Sequence, residues 1–294
     1  MTAILMPSLA ILYAFHRIDS MSMKRLMWLR DRNPDALIVP YLGLRPRRTL
    51  PIPLNKKRPK YANMYLTRFQ SFLNFSRAFH ERNGSTISTD RIRYLHRELR
   101  SKGLTLYCDY TPFGDFHQDL AVLRWFHTEG KNIDFDFLIF HEYDMITARP
   151  VSKIYERYLG YDACFVDFGF INPGWSWYDK PRGSIRSMQK WLKKNGERQE
   201  IFHGLFAGHI VSRKVLTRLE NEHSAMPFAF CEVRWPTIIS DLGFRCQPLD
   251  FPMVNAGDRP KSLQSIIDRM NLGIFHPVRE DFDLATVFAD KNPK

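Results

Sequence analysis

Four cysteines in 294 residues (Cys108, Cys164, Cys231 and Cys246) are too few and too scattered to form a C-x-x-C pair. That spacing argues against a compact zinc motif, and a chain of this length can bury a core without a disulfide framework. Long apolar runs are also scarce. The stretch from Ala3 to Phe15 is broken by Pro7 and Ser8, is too short to span a bilayer, and has no preceding positive residue of the kind a secretory signal carries. No internal repeat is visible. Glycine is missing where a phosphate-gripping loop would need it, since the segment after the first apolar run reads Phe15-His16-Arg17-Ile18-Asp19-Ser20. These absences lead to the expectation of a reducing, cytoplasmic setting.

The composition that remains is that of a globular protein. Hydrophobic residues make up 44% and aromatics 14%, enough for a sizeable core, and global disorder is excluded. The net charge of +12 is unevenly spread. Between Arg45 and Lys60 lie seven basic residues (Arg45, Arg47, Arg48, Lys56, Lys57, Arg58, Lys60), four prolines and no acid. The prolines favour an extended loop. Its charge fits a merely solvated segment, a site for a phosphate-bearing ligand, or an anionic membrane surface that would hold the protein at the inner membrane face.

Hydrophobic periodicity gives an alternating order of strands and helices. Leu9 to Phe15 reads as a buried strand, and Met23, Leu26, Met27 and Leu29 as a helical stripe ending before Pro34. Leu37 to Leu42 is a second strand, completing a β-α-β unit that implies a parallel sheet. Further strands are expected at Leu104–Cys108, Phe135–Phe140, Ala163–Phe168 and Leu205–Val211. Helices are expected at 61–79, before Gly103, around Leu120–Phe126, and at 184–195, 212–221 and 235–242. The alternation favours one α/β domain over 1–294, with a nucleotide-binding half (1–144) and an acceptor-binding half (145–294).

The segment richest in chemistry is Asp136-Phe-Leu-Ile-Phe-His-Glu-Tyr-Asp-Met145, where an apolar strand runs into Glu142-Tyr143-Asp144. On an extended chain residues i and i+2 project to one side. Two carboxylates so placed can converge on a hard divalent cation, in the crevice where open α/β sheets bind ligands. Glu232 precedes a helical stripe of Trp235, Ile238, Ile239 and Leu242, with Pro236 in its first turn. It reads either as a capping glutamate or as a carboxylate kept ionised by the helix terminus. Asp19 is equally a helix cap or a ligand contact. In Asn172-Pro-Gly-Trp-Ser-Trp-Tyr178, Trp175, Trp177 and Tyr178 form either a stacking platform or a loop pinned into the core. Gly204 and Gly208 either allow close backbone approach to a ligand or relieve strand packing.

Taken in order, these features resemble the GT-A glycosyltransferases. The opening strand with its polar turn, "DFDFLIFHEYDM" ending at Met145, "GLFAGHIVSRKVLTRL" (204–219), "FAFCEVRWPTIISDLGF" (228–244) and "GIFHPV" (273–278) match that family's D-x-D strand, glycine-containing strand, acidic segment and C-terminal histidine. The resemblance implies a Rossmann-like fold with a central mixed, mostly parallel sheet flanked by helices. It also implies transfer of a hexosyl or N-acetylhexosaminyl group from a nucleotide-sugar donor, by default a UDP-sugar, to a glycan or other hydroxyl acceptor. Asp144, Glu142 and His276 would hold Mn²⁺ or Mg²⁺, Glu142 standing where the family has its first Asp. Glu232 would be the general base of an inverting displacement, with Asp241 a weaker competitor. His16, Arg17, Asp19 and Asp119 would lie at the donor nucleotide, Gly204 and Gly208 at the donor sugar, and Trp175, Trp177 and Tyr178 at the acceptor. The basic loop at 45–60 has no counterpart in the family pattern.

Two rival classes follow from the same residues. A nucleotidyltransferase would share the sheet and the paired acids, but the missing glycine-rich loop speaks against it. A basic nucleic-acid-binding protein would explain the charge, but the charge sits in one proline-rich segment and no nucleic-acid-binding motif is present.

Overall fold

A computed structural model describes residues 7–43, 89–109, 118–175, 182–222, 226–227, 229–250, 273–278, 281 and 283–289. The basic segment 45–60 and the helix expected at 61–79 lie outside these residues. The chain opens with β1 (Leu9–Phe15), then α1 (Ser20–Arg32) and β2 (Ala36–Gly43), the β-α-β unit read from the sequence. Next come α2 (Thr89–Ser101), β3 (Tyr107–Asp109), α3 (Gln118–Thr128), β4 (Phe137–Glu142), the short β5 (Ile146–Thr147) and α4 (Val151–Tyr155). The second half carries β6 (Ala163–Phe170), α5 (Arg182–Asn195), β7 (Phe202–Ser212), α6 (Arg213–Glu222), α7 (Cys231–Asp241), β8 (Cys246–Leu249), β9 (Ile274–Phe275) and α8 (Leu284–Ala289).

Seven strands form one sheet in the order β3-β2-β1-β4-β7-β6-β8. The pairs β1/β2, β1/β4, β2/β3 and β6/β8 are parallel, while β7 runs antiparallel to both β4 and β6. The sheet is thus mixed and mostly parallel. Its strands are apolar on both faces because helices cover both. Leu12, Leu138 and Phe140 pack with Trp125, Met188, Leu216 and Trp235 from α3, α5, α6 and α7. Ile11, Tyr13 and Ile139 face the other way, against Leu26, Leu95 and Tyr155 from α1, α2 and α4. Each such aliphatic side chain contributes about 1.5–3 kcal/mol of burial. Among the described residues no helix is long and apolar enough to cross a membrane.

Two features of this frame position the site. β1 has β2 on one side and β4 on the other, so the strand order reverses at β1 and a crevice forms at the carboxyl ends of β1 and β4. A separate two-stranded sheet pairs β5 antiparallel with β9 and brings residues 273–278 back beside the end of β4. The helix expected at 235–242 begins earlier, at Cys231. Glu232 therefore lies in its first turn, and Pro236 falls inside the helix. Lacking an N–H, Pro236 cannot donate to the carbonyl of Glu232 one turn back.

Candidate active site

Glu142 ends β4, Asp144 follows two residues later, and His276 follows β9. Their ligating atoms all lie within 4.8 Å of one another. His276 Nε2 is 2.9 Å from Glu142 Oε2 and 3.3 Å from Asp144 Oδ1. Asp144 is buried, and the other two are partly covered. Burial alone would lower the basicity of His276, but hydrogen bonds and charge from Asp144 and Glu142 overcome it and lift the pKa to about 10. The two carboxylates demand a cation between them, and a proton on the imidazole meets that demand here. Two carboxylates and an imidazole also suit a divalent metal ion.

Several residues not singled out from the sequence hold this cluster together. Gln118 Nε2, at the start of α3, donates to Glu142 Oε1 at 2.7 Å. Arg25 is 4% exposed, and its Nη1 donates to the carbonyls of Tyr143 (3.2 Å) and Val278 (2.5 Å). The backbone N–H of Val278 in turn donates to the carbonyl of Asp144 at 2.7 Å. A sequence signal for Arg25 existed. It falls with Ser22, Leu26 and Leu29 on the buried stripe of α1, where a charge is out of place unless it has acceptors.

The His16 ring meets Tyr143 edge-on at 4.8 Å, which sets the turn after β1 next to the Glu142–Asp144 segment. Arg17 is half-buried there, and its Nε makes no hydrogen bond. Asp19 is the N-cap of α1 and accepts from Ser22 N at 2.8 Å. Asp119 departs from the donor-side expectation. It is wholly buried, with both oxygens taken by Arg234 Nε (2.6 Å) and Nη2 (2.5 Å), so its carboxylate is not available to a donor. Gly204 has a packing reason, because a Cβ there would sit 2.7 Å from the Cβ of Phe165 on β6. Gly208 adopts φ 74°, a left-handed conformation that favours glycine, and its carbonyl accepts from Tyr155 Oη.

Glu232 lies within electrostatic reach of Glu142 and His276. Its Oε1 accepts from Phe206 N at 3.3 Å, while Oε2 is shut off from solvent without a hydrogen bond. The sequence suggested a carboxylate kept ionised by the helix terminus. Burial outweighs that effect and pushes the pKa up to about 8, with the Phe206 N–H opposing the rise. Asp241 closes α7 and accepts from Arg198 N at 2.8 Å. Trp175 is 5% exposed, with its ring stacked on His203 at 4.8 Å and 22°. It packs with the core, as the pinned-loop alternative has it, and one face of its ring is covered by His203. Trp177 and Tyr178 lie outside the described residues.

No protein-family model matches the chain, and no curated protein matches it. Among solved structures it is similar to the galactosyltransferase LgtC in complex with donor and acceptor sugar analogues. The identity is 12% over 91% of this chain and 86% of that one, with a TM-score of 0.41. An active-site mutant of LgtC gives 12% identity over 96% and 94%, with a TM-score of 0.41. The glycosyltransferase GlyE of Streptococcus pneumoniae gives 14% identity and a TM-score of 0.37, covering 97% of this chain and 60% of its own. At these values the likeness carries no argument about individual residues, and the functional reading rests on the site itself.

Proposed function

We propose that this chain is a metal-dependent glycosyltransferase of the GT-A type. It would transfer a sugar from a nucleoside-diphosphate sugar, with uridine diphosphate as the nucleotide, to an acceptor hydroxyl with inversion. The observation that carries the reading is the meeting of Glu142, Asp144 and His276 at the end of β4, in the crevice where the strand order reverses. Asp144 and His276 would hold the ion directly, with Glu142 beside them, fixed by Gln118. The imidazole favours Mn²⁺ over Mg²⁺, which prefers oxygen alone. When bound, the ion supplies Lewis-acid stabilisation of the leaving diphosphate.

The chain's own groups would do the rest. Arg17, half-buried in the turn after β1 with its Nε unengaged, would bind a donor phosphate oxygen. Glu232 would take the proton of the acceptor hydroxyl as that oxygen attacks the anomeric carbon and the bond from that carbon to the leaving diphosphate breaks. A carboxylate with a pKa of about 8 is a stronger base than an exposed one and still ionises near neutrality.

Calorimetric titration of a nucleotide panel, with and without Mn²⁺, on the wild type and Asp144→Ala tests the reading. Mn²⁺-dependent binding of one nucleoside diphosphate, lost in the variant, is expected. A folded wild type that binds no nucleotide in the presence of Mn²⁺ refutes it.

A further inference from the structure

We infer that Arg25 is a positioning residue for the metal centre, joining the two distant chain segments that supply its ligands and so setting the distance from His276 to Asp144. The inference rests on the reading that these residues hold a divalent cation. Tyr143, whose carbonyl accepts from Arg25 Nη1, sits between the two carboxylates in sequence. Val278, whose carbonyl accepts from the same nitrogen, lies two residues beyond His276. With the Val278 N–H bonded to the carbonyl of Asp144, these hydrogen bonds tie residues 143–144 to Val278.

Phe275 and Val278 are buried with Ile146, Leu284, Val287 and Phe288, but among the described residues the other backbone anchors of the His276 segment are few. β9 is two residues long and, among the described residues, pairs with the two residues of β5, through Ile146↔Phe275 and Thr147↔Ile274. Ala148 N adds one bond to the carbonyl of Gly273. A two-stranded ribbon is marginal on its own. Past Phe275 the backbone is held at Val278, through its N–H to the carbonyl of Asp144 and its carbonyl to the Arg25 guanidinium, and the latter ties it to Tyr143 as well. Its charge also faces Asp144, so it opposes the repulsion between the two ligand carboxylates. A residue that only filled space at this position would do so with an apolar side chain and without the cost of desolvating a cation. α8 has its own contact with α1, where Trp28 stacks on Phe288 at 5.1 Å.

The test is a double-mutant cycle read as Mn²⁺ affinity, by electron paramagnetic resonance of free Mn²⁺, on the full chain. Thermal unfolding in chelator confirms that each variant is folded. Arg25→Met is expected to weaken Mn²⁺ binding about 10- to 100-fold, as loss of an outer partner of a metal ligand does. His276→Ala weakens it as well. If Arg25 acts by placing the imidazole, the double variant binds within about 2-fold of His276→Ala alone, because the two losses are one loss. Multiplicative losses, or wild-type affinity in Arg25→Met, overturn the inference. Should Arg25→Met not fold, Arg25→Lys, which keeps the charge but not the fork, carries the same cycle with the same two outcomes. A wild type that binds no Mn²⁺ overturns the metal reading itself, and that outcome differs from either result of the cycle.

Discussion

Glu232→Gln separates the burial of this carboxylate from any role in turnover. In the folded chain its pKa is raised from 4.5 to about 8, burial being the largest cause. A group whose folded pKa lies above its unfolded value contributes stability that is complete below the unfolded pKa and is lost as pH rises through the folded one. The wild type therefore sheds stability between about pH 4.5 and pH 8 as the carboxyl is forced to ionise. At about 1.36 kcal/mol per unit the ceiling is about 5 kcal/mol. Part of the residue still touches water, and screening brings the expected figure to about 2–3 kcal/mol. Glutamine does not titrate. Whatever fixed cost its amide brings beside Phe206 N, the stability of the variant relative to the wild type should improve by that amount across the window. At about 2 °C per kcal/mol for a chain of this size, the difference in Tm shifts by about 5 °C in favour of the variant between pH 5 and pH 9. Thermal unfolding in chelator, followed by circular dichroism, reads this directly. Parallel curves for the two proteins would refute the burial argument and remove the physical reason for regarding Glu232 as a base poised near neutrality.

Other predictions concern the neighbouring groups. With a pKa of about 10, His276 carries a proton at pH 8 that a metal ion must displace. Mn²⁺ binding at pH 8 should therefore release close to one proton, seen as a dependence of calorimetric enthalpy on the ionisation heat of the buffer. No dependence contradicts the protonated imidazole. Asp119→Asn leaves Arg234 buried without its bidentate partner and should cost about 3–5 kcal/mol in urea unfolding. A loss under 1 kcal/mol would show the pair to be dispensable. Because α7 carries both Arg234 and Glu232, the same variant should also lower turnover once a donor and acceptor are in hand, and a folded Asp119→Asn with unchanged kcat would uncouple the pair from the site.

The strands and the acidic pair were legible in the sequence for a physical reason. A strand buried on both faces leaves an unbroken apolar run, and Leu9–Phe15 shows up as such with its observed boundaries. The i, i+2 spacing of Glu142 and Asp144 marks a site because it follows such a run. What escaped were pairings between distant segments. Nothing near position 276 announces that two residues of β9 would dock on β5, and Gln118 has no local pattern that sends its amide to Glu142. The pairing of Asp119 with Arg234 was not legible because a helix-opening acid looks the same whether it faces solvent or a buried arginine. Trp175 was ambiguous because an aromatic next to Pro-Gly can lie outside the core or anchor the loop to it. The start of α7 was placed late because Pro236 was read as a first-turn residue, although the helix tolerates it five residues in, at the expense of one backbone bond.

The imidazole and the carboxylate it touches are separated by 134 positions in the chain. On a ribosome adding about 5–20 residues per second, the acids of β4 emerge roughly 7 to 27 s before the histidine that completes their cluster. For that interval the nascent protein carries two like charges at the end of β4 and no imidazole to reconcile them. The cluster thus forms only once a segment 134 residues downstream of Glu142 has found its place, so an assembled cluster reports the docking of that distant segment.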